Sequence, residues 1–335
     1  MPRAIVSRLR RVVGILGLAI AVGAPTAARA DIAYFTSFTT GALVRYDTTN
    51  PAGTATVLSG SGSTVKPGAL AMGPDGNLYI GEAGDGATYA PRISRFNLST
   101  NSLSVVHTFA AFDVFPGSLA FKGNDLLVGR NPFFGNTGPI VKLTGATGGV
   151  LTVSDYTTGG TLASSPGLAL AANGTLYVSD QTYNFISFVA SGPVKRFDPA
   201  GVYVGEVIAS GSSGLFGPTG LAINGSTLYT ASIMAGTIVQ TNLATDATTA
   251  FASAGDPFEV GSLALLADGG LLAGSPSGNG AIYRFGSDGT LLDTYSTGLG
   301  QIGGIVAVPE PSAVLLVVAG VAWTSLRWLR SRREA

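Results

Sequence analysis

The sequence contains no cysteine among its 335 residues and a single histidine, His107. The first absence excludes disulfides and thiolate metal sites. The second leaves imidazole chemistry one residue to work with. Charged residues are scarce as well, at 11%, and the formal balance of 19 basic and 19 acidic side chains conceals an uneven distribution. Residues 1–30 hold five arginines, and residues 309–335 hold four arginines and two glutamates. Residues 31–308 therefore keep 10 basic and 17 acidic side chains, a net charge of −7. Phosphate backbones demand basic patches, so this body is not built for nucleic acid. There is no G-x-S-x-G elbow, no H-E-x-x-H pair and no phosphate-binding glycine loop followed by lysine. The Asp-Gly pairs at 75–76, 268–269 and 288–289 lack the distal ligands of a calcium loop and read as hairpin turns.

What the chain has in quantity is glycine, 48 residues, much of it at regular intervals. The stretch Pro67–Glu82 (PGALAMGPDGNLYIGE) reads as a small-residue strand, a tight turn with glycine at its φ > 0 position, and a second strand with a Leu-Tyr-aliphatic core. The design returns at Pro116–Arg130, Pro166–Asp180, Pro218–Ser232 and, less completely, Val260–Ser275. Its marker glycines, Gly68, Gly117, Gly167, Gly220 and Gly261, are spaced by 49, 50, 53 and 41 residues. Each unit adds a third strand, such as Ser94-Arg95-Phe96-Asn97 or Lys195-Arg196-Phe197-Asp198, and often a β-branched fourth, such as Val202–Ile208. A period of roughly 40–50 residues with several strands per unit is the signature of propeller blades. Four short strands cannot bury a sheet face alone, so neighbouring units must stack. The recurring basic residues Arg45, Arg95, Lys142, Arg196 and Arg284 are expected to pair between blades.

The ends set the blade count. The first unit opens at Ala33-Tyr34-Phe35 with no first strand before it, and Gly303–Ala307 is a first strand with nothing after it. Joining them makes a sixth blade, closes the ring and removes exposed edges. The expected fold is all-β, a six-bladed β-propeller over 31–308 closed by a strand from the C-terminal end. Before it, residues 1–30 have a basic start, the apolar run Val12–Val22 and Ala28-Arg29-Ala30, the three parts of a signal peptide cut before Asp31. After it, residues 309–335 hold Pro309-Glu310-Pro311, the apolar run Ala313–Leu326 and the cluster Arg327, Arg330, Arg332 and Arg333. With Trp328 and Leu329 the run makes a minimal transmembrane helix whose arginines stay cytoplasmic.

That tail resembles the PEP-CTERM sorting signal of exopolysaccharide-producing Gram-negative bacteria, with Pro309, Glu310 and Pro311 as its motif. The resemblance implies an exosortase-type enzyme as partner, an inner-membrane precursor, and release or transfer at the cell surface or extracellular matrix. The body resembles NHL-type six-bladed propellers, including the streptogramin lyase-like and gluconolactonase-like groups, through its Gly-x-Leu-Ala strand, its D-G-x-Leu-Tyr hairpin and its Arg-Phe-Asp third strand. A lyase of that kind uses a histidine base, and His107 falls on an outer-rim strand. A lactonase of that kind holds a divalent cation with Glu, Asn and Asp side chains, for which only Glu82 and Asp180 stand out. No cofactor is expected, with Ca2+ the one candidate ion.

One residue per blade lies just past each second strand: Ser37, Glu82, Arg130, Asp180, Ser232 and Ser275. Equal strand polarity puts all six on one face. Glu82, Arg130 and Asp180 form an acid-base-acid arc, read either as paired hairpin ends or as a ligand site for a polyol or sugar, with Tyr183 and Phe185 offering stacking surface. The expected function is an exported binding or structural module of the cell surface and its polysaccharide. The alternative is a metal-dependent surface hydrolase or lactonase.

Overall fold

The computed structural model describes residues 31–60, 62–111, 113–130, 137–184, 187 and 189–309. The signal-peptide, transmembrane and Glu310–Pro311 expectations lie outside these residues, as does Phe185. Among the described residues, no helix is long and apolar enough to cross a membrane. Helix is confined there to one turn at Pro51–Thr54 and a 3-10 turn at Ser212–Gly214.

The strands form six four-stranded antiparallel blades. Blade 1 contains β1 (Asp31–Ser37), β2 (Leu43–Asp47) and β3 (Thr56–Ser59). Blade 2 contains β4 (Pro67–Met72), β5 (Leu78–Glu82), β6 (Arg92–Asn97) and β7 (Ser102–Thr108). Blade 3 contains β8 (Pro116–Lys122), β9 (Asp125–Arg130), β10 (Val141–Thr144) and β11 (Thr152–Asp155). Blade 4 starts with β12 (Gly167–Leu170) and β13 (Leu176–Ser179). A separate two-stranded hairpin, β14 (Thr182–Asn184) and β15 (Val189–Ser191), is inserted before β16 (Val194–Phe197) and β17 (Tyr203–Ile208) complete the blade. Blade 5 contains β18 (Pro218–Asn224), β19 (Thr227–Ser232), β20 (Thr237–Asn242) and β21 (Ala247–Ser253). Blade 6 contains β22 (Ser262–Leu265), β23 (Leu271–Gly274), β24 (Ala281–Phe285) and β25 (Leu291–Ser296).

The last strand, β26 (Ile302–Pro309), returns to blade 1 and pairs antiparallel with β1 from Ser37↔Ile302 to Asp31↔Pro309. The ring is thus closed by the two ends of the repeat array, as the orphan strands require.

The second strands explain the repeat's apolar core. Leu78, Tyr79, Ile80, Gly81 and Glu82 of β5 are all buried because the blade has a neighbour on each face. Side chains alternate between those faces. Leu78 and Ile80 pack with Tyr34 and Leu43 of blade 1, whereas Tyr79 packs with Leu119 and Val128 of blade 3. Six such clusters lie among the described residues, one at each blade–blade interface.

Two of the marker glycines, Gly167 and Gly220, and Gly303 on the closing strand have a steric reason. A Cβ at Gly167 would collide with the Thr219 carbonyl of the next inner strand, and one at Gly303 with the carbonyl of Pro67. Inner strands approach each other around the channel too closely for a side chain there. Two third-strand basic residues bridge blades as expected. Arg196 reaches Asp246 of blade 5 at 3.4 Å, and Arg284 donates to the Thr48 carbonyl of blade 1 at 3.3 Å.

Candidate site at the channel mouth

The six strand-end residues do share one face, and five hold the segment leading into their own blade's innermost strand while Ser37 holds the one leading into β26, which completes blade 1. The chemistry differs from blade to blade. Glu82 Oε2 accepts the Val65 N–H at 2.7 Å, and Asp180 Oδ1 accepts the Ala163 N–H at 2.7 Å. Ser232 Oγ accepts the Phe216 N–H at 2.8 Å. Arg130 Nη1 donates to the Asp113 carbonyl at 2.7 Å, Ser37 Oγ to the Leu299 carbonyl at 2.6 Å, and Ser275 Oγ to the Phe258 carbonyl at 3.4 Å.

The three charged members are each engaged within their own blade. Glu82 is fully buried and takes two hydrogen bonds from Arg92, Nε to Oε1 at 3.0 Å and Nη2 to Oε2 at 2.9 Å, and a further one from Ser94 Oγ. Asp180 pairs with Lys195 Nζ at 2.6 Å, and that ammonium also donates to the Thr161 carbonyl at 2.6 Å. Arg130 is buried as well, and burial lowers its pKa against the opposing charge of Asp113. Ser275 Oγ shares its single proton between the Phe258 carbonyl and the nearer carboxylate of Glu259, a residue that the sequence reading did not single out.

Glu259 accepts hydrogen bonds from Tyr283 Oη at 2.6 Å, Asn279 Nδ2 at 2.6 Å, Ser277 Oγ at 2.9 Å and Ser275 Oγ at 3.0 Å. Burial alone would raise its pKa. The four donors outweigh that and hold the carboxyl below the usual glutamate range. The Tyr283 phenol is pushed up to about 12 by burial and by this carboxylate. In blade 6 the charge thus sits on the incoming loop and the hydroxyl on the strand end, the reverse of blade 2.

One residue further along, the chain reaches open space. A cavity of about 360 Å3 occupies the mouth of the central channel on this face. Phe38, Gln181, Ile233 and Pro276 line it, each directly following a ring residue. Gly68, Gly117, Pro166, Thr219, Ser262 and Gly303, from the starts of the six inner strands, line it too, with Lys66, Gln301 and Ile302. Its polar groups are few. Thr219 is 8% exposed, and its Oγ1 has no hydrogen-bond partner; neither does the buried Oγ of Ser262. Gln181 is buried, with Nε2 3.3 Å from the Pro218 carbonyl.

Lys66 is exposed at the rim and adopts φ +49, a left-handed conformation uncommon outside glycine. The Val65–Lys66 segment is held by Glu82 from below and by the Ala83 N–H, which donates to the Lys66 carbonyl at 3.1 Å. Glu82 therefore positions a cavity residue from behind the wall. The sequence carried a signal for Thr219: Pro218-Thr219-Gly220 inserts a hydroxyl residue where three other units read Pro-Gly.

His107 lies on the outer strand β7, half-buried, with its ring edge-on to Phe109 at 4.6 Å between centroids. Burial lowers its pKa. Tyr183 is half-buried on the inserted hairpin. Among the described residues, no three His, Asp or Glu side chains lie together in an arrangement that could hold a metal ion.

No family model matches the chain, and no curated protein matches it either. Its fold is similar to solved propellers. A chain of the nidogen/laminin complex superposes with a TM-score of 0.64 at 14% identity, covering 83% of this chain and 98% of that one. TolB from Acinetobacter baumannii gives 0.57 at 14% identity, covering 92% and 74%. A candidate 6-phosphogluconolactonase from Bacteroides uniformis gives 0.53 at 18% identity, covering 80% and 83%. At these identities the likeness is one of fold, and function must be argued from the site.

Proposed function

We propose that this chain is an exported binding module of the cell surface, carried there by its PEP-CTERM-like tail and an exosortase-type enzyme, and that it takes a sugar-like ligand in the channel-mouth cavity. The observation that carries the reading is the cavity wall itself. The amides of Gln181 and Gln301, the half-buried ring of Phe38 and the exposed Lys66 line one space, and two residues of its wall, Thr219 and Ser262, carry buried hydroxyls without partners. Buried hydroxyls without partners are costly and are completed by water or ligand. A mostly apolar pocket with a few convergent polar groups is the common form of a small-molecule site. Lys66, the one ionisable side chain among the described residues of the lining, favours a ligand with an acidic group, such as a uronic acid.

The lactonase-like reading is less well supported. Metal-assisted hydrolysis needs free carboxylate oxygens. Glu82 and Asp180 direct theirs to Arg92, Lys195 and backbone amides.

The exit of the chain fits a surface display. β26 starts at Ile302 beside the cavity and ends at Pro309, roughly 23 Å away for a strand of this length, on the opposite face. The test is calorimetric titration of the exported protein with neutral and uronic-acid oligosaccharides. Binding of the acidic set is expected. Lactone hydrolysis by the same preparation without saccharide binding would favour the enzymatic reading.

A further inference from the structure

We infer that Asp31 is a maturation latch: the α-ammonium created when the leader is cut before Asp31 completes that residue's buried carboxylate and secures the closing sheet of the ring. This rests on the export reading above, though not on the cavity or its ligand.

Asp31 is 1% exposed although it opens the first strand. Its Oδ2 accepts the Ala267 N–H of blade 6 at 2.7 Å, tying the last blade to the first. Its backbone N–H donates to Thr48 Oγ1 at 3.3 Å, and its carbonyl accepts the Thr48 N–H at 3.0 Å. The other carboxylate oxygen, Oδ1, is buried with no partner. Leaving such an oxygen without a donor is unfavourable, the more so for a charged group. The basic residue associated with this corner is Arg284, whose Nη1 and Nη2 are engaged by the Thr48 carbonyl at 3.3 Å and Asp268 at 3.2 Å. Arg284 Nε is itself without a partner, so its contribution is tested below.

Covalent geometry keeps an aspartate's α-nitrogen close to its own carboxylate. In the precursor that nitrogen is a neutral peptide N–H with one proton. After cleavage it is an ammonium with three, protonated below a pKa of about 8. One proton can keep the bond to Thr48 while the others face the unpartnered oxygen, and the added positive charge offsets the buried negative one. The position agrees with this role. Asp31↔Pro309 is the last rung of the closing ladder, so the leader cut and the Pro-Glu-Pro motif lie on either side of it. Removing the leader leaves the ladder whole and adds a charge where it lacks one.

Residues 31–309 contain the closed ring and every blade interface, so the test uses this protein with a native Asp31 terminus, freed from a fusion by a protease that leaves no scar. Its melting temperature at pH 6.5 is compared with that of the same chain Nα-acetylated and of one extended by Ala28-Arg29-Ala30. The free Asp31 terminus is expected to melt about 3 °C or more above both. Asp31→Asn should abolish this gap, and Arg284→Gln should leave it in place. Should Asp31→Asn fail to fold, the acetylated protein still decides. Equal melting temperatures, a gap that persists in Asp31→Asn, one that vanishes in Arg284→Gln, or an exported protein whose N-terminus is not Asp31 would each overturn the inference.

Discussion

Glu82 Oε2 accepts the backbone N–H of Val65 at 2.7 Å, from a residue 17 positions upstream in the chain. The same relationship, at the same place in the blade, joins Asp180 to Ala163 and Ser232 to Phe216, and in reversed polarity Arg130 to Asp113. Position in the blade is kept while the residue type changes. What the fold requires there is a hydrogen-bonding group that anchors the crossing loop at the channel mouth.

Glu82→Ala should therefore destabilise the protein. Removing it strands Arg92, whose side chain is 19% exposed, and frees the Val65 N–H. Breaking a buried pair from one side costs about 3 kcal/mol or more, which corresponds to roughly 5–10 °C in melting temperature for a protein of this size. Thermal unfolding checks this, and a variant that melts within a degree of the parent would show the pair to be dispensable.

Closure can be tested by deletion. Without Gly303–Val308, blade 1 loses its inner strand and β1 becomes an open edge. The shortened protein should aggregate or melt far below the parent. Unchanged thermal unfolding and monodispersity in size-exclusion chromatography would contradict the closure.

Much of the fold was legible because propeller blades repeat their constraints. The Gly-x-Leu-Ala strand, the glycine turn and the Leu-Tyr-aliphatic strand each answer a packing need that recurs in successive blades, and the orphan strands at Ala33 and Gly303 had one way to be satisfied. Among the described residues the inserted hairpin of β14 and β15 belongs to blade 4 alone, so no period announced it. The site was harder. Aligning strand ends stopped one residue short of the cavity wall, because Ser37, Asp180, Ser232 and Ser275 point their hydrogen bonds into the loops while the residues after them line the cavity. Charge drew attention to Glu82, Arg130 and Asp180. Burial had already assigned their charges to partners within the blade, which no linear pattern displays.

Acid should weaken the fold through Glu259. Its folded-state pKa is held below the usual value of 4.5, so below that value the unfolded chain binds the proton more readily than the folded one. Stability is then fully present above the usual value and is lost as pH falls through the depressed one. Melting temperature should drop as pH falls below the usual glutamate value, and Glu259→Gln should make that drop shallower. Equal acid slopes for the two proteins would remove Glu259 from the account.

Sorting predicts a defined C-terminus. Mass spectrometry of the protein recovered outside the native host's cells should show that everything beyond the Pro309–Pro311 region is gone, and Glu310→Ala should leave a full-length form in the membrane. Recovery of an extracellular form that still contains Arg333 would count against processing.

The most direct measurement concerns the channel mouth. A uronic-acid oligosaccharide titrated into the exported protein, its Lys66→Ala variant and its Thr219→Val variant by calorimetry reads the site without disturbing the ring tethers. Each substitution should weaken binding about tenfold, the loss expected for one hydrogen bond of which at least one partner is charged or buried, while melting temperatures stay within about 2 °C. Val105→Ser on the exposed outer strand should leave binding unchanged. Affinity that is the same in parent, Lys66→Ala and Thr219→Val proteins would place the ligand elsewhere and contradict the proposal.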